Sequence, residues 1–220
     1  MEMNRLRQKM LSAVDKKGAL LVFPIKGKKE PESLWSVLYP RSEMVWEWNE
    51  DSDDRISKLW MDREFLSRSL DVVYAKWYQG RATFFSKEIF ILLLAFLESN
   101  TQSSRLSQPS QQALSELNEE SPLSTKKLKA HLEWQGKLME AHYNRAMKPL
   151  WEGLYIVGFG EENDSSFPSL NVCSTKTLFE EEWEKALNIS SEKAYTQLKD
   201  KLGENSPFLS YAQKIKKKIL

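Results

Sequence analysis

The chain has 220 residues, a formal net charge of +1, 41% hydrophobic and 29% charged residues, and a rich aromatic supply of eight Trp, seven Tyr and ten Phe. That composition excludes a disordered chain, and the length admits one large unit or two small ones. A single Cys173 excludes an internal disulfide and a cysteine-based zinc cluster and fits a reducing cytoplasm, while the longest apolar run, 89–97, falls well short of the roughly 20 residues that span a bilayer.

Met3, Leu6, Met10 and Val14 recur at helical spacing before Gly18, so residues 3–16 are predicted as an amphipathic helix rather than a signal peptide. Residues 19–25 form a short β-rich run broken at Pro24. Residues 30–38 read as a helix with Pro31 in its first turn. Met44, Val45, Trp46 and Trp48 suit a strand, after which Asp53 or Asp54 caps a helix carrying Ile56, Leu59 and Trp60. The segment DVVYAKWYQGRATFF reads as a hairpin around Gln79-Gly80, followed by a buried helix over 87–98. In that hairpin Lys76 and Arg81 lie beside Trp77 and Tyr78, an interleaving of cation and aromatic that suits nucleic acid and equally suits an ordinary half-buried hairpin.

Residues 99–110, SNTQSSRLSQPS, have the composition of a linker. Beyond it come a helix at 108–119, a second opened by Ser124 as N-cap, a reversal at Gly136, a long helix over 137–152, and a hairpin in LYIVGFGEENDSSFPSLNV. That order over 107–179 is a winged helix, the helix-turn-helix variant ending in a two-stranded wing. The loose helix, helix, hairpin order of the first half admits a degenerate copy there. The expected fold class is therefore α+β: an N-terminal α+β domain over 1–98, a linker over 99–110, a winged-helix domain over 111–189 and a C-terminal helical tail over 190–220.

On the helix 137–152, Tyr143, Met147, Leu150, Trp151 and Leu154 should face the core and Lys137, Glu140, Asn144, Arg145 and Lys148 should face solvent. Arg and Asn read base edges and lysines neutralise phosphates, so DNA is the expected partner, with helix 137–152 in the major groove. The candidate nucleic-acid contacts are Lys126, Lys127, Lys137, Asn144, Arg145 and Lys148, with Lys76 and Arg81 from the first hairpin. Residues 124–152 hold six Lys or Arg against three acids, whereas the acidic wing tip (Glu161, Glu162, Asp164) should repel phosphate. The tail KIKKKIL reads either as a further backbone contact or as a frayed, solvated helix end. No metal site, cofactor or catalytic residue is implied. His142 has no evident partner for acid-base chemistry. The near-neutral charge, weak for a nucleic-acid binder, keeps a protein-interaction module as the alternative.

The runs SPLSTKKLKAHL, YNRAMKPLWEGLYIVGFGEEND and FPSLNV, with VYAKWYQGRATFFSKEIF in the first half, resemble the AlkZ-related proteins, short relatives of the AlkZ winged-helix DNA glycosylases. The resemblance covers roughly 70–180 and is most specific in the phrase IVGFGE. It implies a winged helix and a second alternative, a glycosylase-type enzyme acting on alkylated or cross-linked DNA. The Gln-x-Gln catalytic pair of those enzymes is absent. The nearest triplets, His131-Leu132-Glu133 and His142-Tyr143-Asn144, do not replace it. Trp77, Tyr78, Trp134 and His131 could supply the groups that hold an extruded base.

Overall fold

The structure is a computed structural model that describes residues 2–45, 53–99, 102–162 and 168–219. In chain order it runs α1 (Glu2–Lys17), β1 (Ala19–Leu21), α2 (Leu34–Leu38), α3 (Asp54–Ser67), β2 (Val72–Lys76), β3 (Ala82–Ser86) and α4 (Lys87–Leu97). The second half continues with α5 (Gln108–Glu119), β4 (Leu123–Ser124), α6 (Thr125–His131), α7 (Glu140–Glu152), β5 (Ile156–Glu162), β6 (Ser169–Ser174), α8 (Thr175–Leu178), α9 (Glu180–Leu187), α10 (Ser191–Leu202) and α11 (Pro207–Ile219). The class is α+β. No helix among the described residues is long and apolar enough to cross a membrane.

Several helices start at a side-chain cap. Asp53 accepts from the Arg55 amide to open α3, Ser86 accepts from the Ile89 amide to open α4, and Ser124 accepts from the Lys127 amide to open α6. The helix expected over 30–38 begins instead at Leu34, because Ser33 and Ser36 close a reciprocal capping box that leaves Pro31 outside the helix. Met44 and Val45 have no regular structure, and the rest of the strand expected there, Trp46 and Trp48, lies outside the described residues. The first hairpin turns more widely than a two-residue loop: a short 3-10 turn, Tyr78–Gly80, separates its strands, with Gln79 (φ 54°) as well as Gly80 (φ 76°) left-handed.

The strands form one antiparallel sheet in the order β1-β3-β2-β5-β6-β4. The hairpins of the two halves meet where Tyr74 on β2 pairs with Gly158 on β5, so the sheet continues across the 99–110 segment. At that crossing a Cβ on Gly158 would stand 2.6 Å from the Tyr74 ring, and glycine alone lets the ring lie against the neighbouring strand. Gly160 (φ 68°) lies in the β-bulge between Gly158 and Glu161, with the Arg68 side chain over it.

Three apolar clusters cover the sheet. The first gathers α4, whose sequence KEIFILLLAFL is apolar nearly all round and is buried accordingly, with α9, α10 and α11. The second gathers α1, α2 and α3, and the third α5, α6 and α7. Half-buried Trp151 on α7 packs against all three. The C-terminal segment is not the frayed end that its lysines allow. Phe208, Leu209, Ala212 and Ile215 make a buried stripe on α11, and Lys216 turns inward to the Phe96 carbonyl (2.8 Å) and Glu98 (3.0 Å).

A candidate nucleic-acid interface

Helix α7 sets the site. Tyr143, Ala146, Met147 and Leu150 are buried, whereas Glu140, Asn144, Arg145 and Lys148 are exposed, as is Lys137 on the 3-10 turn Lys137–Met139 that follows Gly136. The C-terminal carbonyls of this helix are claimed by the first half of the chain: Trp77 Nε1 donates to the Glu152 carbonyl at 3.0 Å and Ser99 Oγ donates to the Gly153 carbonyl at 2.5 Å. The hairpin β2–β3 is thereby fixed beside the exposed face of α7.

Between that hairpin, α7 and α11 lies a cleft of about 820 Å³. Lys76, Gln79 and Gly80 line it from the hairpin. Tyr143, Asn144, Met147, Lys148, Trp151 and Glu152 line it from α7, and Tyr211, Lys214 and Lys218 from α11. Lys129 of α6 completes a set of five lysines against two glutamates, Glu140 and Glu152. Lys129 bonds Glu140 at 2.6 Å and lies over the Tyr143 ring at 4.4 Å, and Lys218 bonds Glu152 at 2.8 Å, with Lys148 at 3.9 Å from the same carboxylate. Positive charge remains in excess. Lys76 is open to the cleft yet crowded: desolvation lowers its ammonium below the ordinary lysine value, Arg63 adds repulsion and Glu161 partly offsets both.

Of the residues singled out in the sequence, Lys76, Asn144 and Lys148 meet in this cleft. Lys126, Lys137, Arg145 and Arg81 are exposed but do not line it, and Lys127 is bonded to Glu162 at 2.7 Å, which holds that carboxyl below its usual range. The described wing acids are therefore occupied within the chain: Glu162 by Lys127, and Glu161 by the buried Arg63 at 2.6 Å. Asp164 lies outside the described residues. Sequence reasoning did not single out Lys129 or Tyr211, and it offered Lys214 and Lys218 only within a tail that it also read as a frayed end. The signal was present in the stripe Phe208, Leu209, Ala212, Ile215, which fixes which lysines of α11 face away from the core.

Trp77, Tyr78, Trp134 and His131, which could serve base extrusion, do not line one cleft. Trp77 is fully buried, edge-on to Phe85 (5.3 Å) and Tyr211 (5.1 Å), and Tyr78 is packed against Tyr211 and Phe208. Trp134 is buried with His142 edge-on at 4.7 Å, and His131 is exposed and bonded to Glu116 at 2.7 Å. Glu116, Glu120 and His131 bring ligand-type atoms within 4.8 Å on an open surface, where the short His131–Glu116 contact is that of a hydrogen-bonded pair. A larger cleft of about 1110 Å³ lies beside α1 and α3. Arg7, Arg55 and Arg68 in it are matched to Asp62, Asp53 and Glu64, whereas Arg5, Lys9 and Lys58 also line it, so charge alone does not set the two clefts apart.

These features define an α+β protein in which two hairpins share one sheet and a lysine-lined cleft opens between the first hairpin, α7 and α11. A family model described as AlkZ related matches residues 6–219, and the chain belongs to that family. Membership points to a role in DNA binding or DNA repair, and the match extends well beyond the 70–180 stretch that carries the resemblance in the sequence. No curated protein and no solved structure matches the chain.

Proposed function

We propose that the chain binds DNA, with a strand seated in the cleft over α7, and that α5, α6, α7 and the β5–β6 hairpin are a winged helix serving this purpose. The observation that carries the reading is the convergence of Lys76, Asn144 and Lys148 with Lys129, Lys214 and Lys218 in one concavity. Lysines in such a groove neutralise phosphates and release counterions, the Asn144 amide reaches a base edge, and half-buried Trp151 and Tyr211 offer flat surfaces to a base. Arg145, exposed one position along the helix, contacts the flanking strand together with Lys126 and Lys137. The hairpin and α11 flank the C-terminal half of α7, which favours a strand lying along that half over a helix laid deep into a major groove.

The test is a salt titration of binding to labelled single-stranded and duplex oligonucleotides. Affinity should fall linearly on a logarithmic salt scale, and Lys148→Ala should weaken all sequences alike and make the slope shallower by about one. Salt-independent affinity, or unchanged affinity in a Lys148→Ala/Lys214→Ala double variant, overturns the reading. A protein-interaction role is the second reading, favoured by the exposed Trp60, Met61 and Phe65 on α3. Capture of a defined protein through that face, undiminished by nuclease and lost in Trp60→Ser/Phe65→Ser, supports it.

A further inference from the structure

We infer that the groove between α1 and α3 receives an acidic amphipathic helix of a partner protein. The inference rests on the protein-interaction reading of this face and names the chemistry of the partner. What sets this cleft apart from the one over α7 is its apolar lining. Trp60, Met61 and Phe65 of α3 are 47%, 60% and 46% exposed and all line it, as does half-buried Leu6 of α1. None of the exposed large apolar side chains of the described residues lines the cleft over α7. Exposure grouped in one concavity marks a contact surface, unlike the scattered apolar residues of an ordinary exterior.

The charge around this patch has one sign to spare. Three acids line the cleft and each has a cation: Asp62 bonds Arg7 at 2.7 Å, Glu64 bonds Arg68 at 2.6 Å and Glu161 bonds Arg63 at 2.6 Å. Arg5 and Lys9 of α1 and Lys58 of α3 also line it, are exposed, and make no ion pair among the described residues. Arg5 and Lys9 stand one helical turn apart on the α1 side, and Met61 and Phe65 stand one turn apart on the α3 side. A helix laid between the two rows meets both at its own i, i+4 spacing, with apolar residues toward α3 and acidic residues toward α1. Nucleic acid, the other polyanion, fits less well because the rings are poorly free to stack. Arg63 lies 3.8 Å from the Trp60 ring centroid, Phe23 runs parallel to that ring at 6.2 Å, and Arg7 lies 3.5 Å over Phe65. Buried Asp62 holds Arg7 there and Glu161 holds Arg63, so the ring faces that a base needs are already partly taken. Aliphatic or aromatic anchors of a peptide need only ring edges and the adaptable Met61 thioether.

The experiment pans a random peptide display library on the immobilised full chain, with the Met61→Glu chain as subtractive bait, and measures the selected peptides, made synthetically, by fluorescence anisotropy. The expected peptides carry net negative charge and apolar residues at i, i+3 or i+4 spacing, and become helical on binding. Met61→Glu, at a side chain 60% exposed, should leave thermal unfolding unchanged and lower affinity by about thirtyfold, the loss of a contact hot spot. Arg5→Glu/Lys58→Glu should lower it by about tenfold and flatten its salt dependence. Neutral or basic peptides held on this face and indifferent to Arg5→Glu/Lys58→Glu overturn the acidic partner and leave the protein-interaction reading standing. If no peptide prefers the wild-type chain over Met61→Glu, both fall. Displacement of the peptide by a single-stranded oligonucleotide gives the face to nucleic acid, and a concentration-dependent dimer abolished by Met61→Glu gives it to a second copy; either result overturns the inference.

Discussion

The sheet crossing and the cleft both draw on strand β2, at Tyr74 and at Lys76 two residues on, and they treat charge in opposite ways. At the crossing, Arg63 is almost wholly buried, and its guanidinium donates to Glu161 (2.6 Å) and to the Tyr74 hydroxyl (3.2 Å) and lies over the Trp60 ring (3.8 Å). Every bond it makes is answered within the chain. In the cleft, five lysines face two glutamates, and Lys76 and Lys214 make no ion pair among the described residues. A buried charge without a partner costs several kcal/mol, so the crossing has to be matched, whereas a wet concavity tolerates an excess that a polyanion can later answer. The contrast separates a joint that holds the halves together from a surface that waits for a ligand.

The largest effect should come from breaking the joint. Glu161→Ala strands the Arg63 charge in the interior and should cost about 3–5 kcal/mol in urea unfolding, the range for losing one partner of a buried pair. A loss under about 1 kcal/mol would show that water reaches Arg63 and that the joint is not dry. Gly158→Ala comes next. Its methyl would press on the Tyr74 ring, so a cost of about 1–3 kcal/mol is expected, and it should shrink when Tyr74 is also shortened to Leu. Simple additivity of the two substitutions would mean that the ring does not lie where the strands meet.

Cys173, paired with Val157 in the same sheet, tests the dryness of the joint without altering it. Burial pushes its thiol up to about 12 from an ordinary 9.0. The folded state therefore keeps a proton that the unfolded chain releases, and this residue's share of stability, intact below pH 9, is lost as pH rises toward 12. At pH 8 the thiol should react with an aromatic disulfide reagent only as fast as the protein unfolds. Prompt reaction in the native state would argue for an open sheet.

The joint and the cleft were legible in the sequence to different degrees. Helix starts were readable because Asp53, Ser86 and Ser124 are local caps whose chemistry acts within three residues. The buried and exposed faces of α7 were readable from periodicity. The phrase IVGFGE stood out as a family mark, but its meaning did not: Gly158 and Gly160 serve Tyr74 and Arg68, some ninety residues away, and no local pattern announces such a partner. The same holds for the site. Lys76, Asn144 and Lys148 were visible as residue types, yet only the β2–β5 pairing and the docking of α11 bring them beside Lys214 and Lys218. Near-neutral net charge counted against DNA, because a total cannot show that Glu161 and Glu162 are spent on Arg63 and Lys127 while Lys76 and Lys214 of the cleft make no ion pair among the described residues.

The smallest expected change in stability is the most informative about function. Lys148→Ala and Lys214→Ala remove exposed charges with at most a distant carboxylate nearby, so unfolding should move by no more than about 0.5 kcal/mol. DNA affinity should drop in each, with a shallower salt dependence, whereas Glu161→Gln should weaken the fold and leave the affinity of the remaining native protein unchanged. That crossover cannot arise if one electrostatic field serves both regions. Should Lys148→Ala stabilise the chain appreciably, relief of like-charge repulsion would show the cleft to be strained by its own excess, and the lysines would then be held together for a ligand at a measurable cost to the fold.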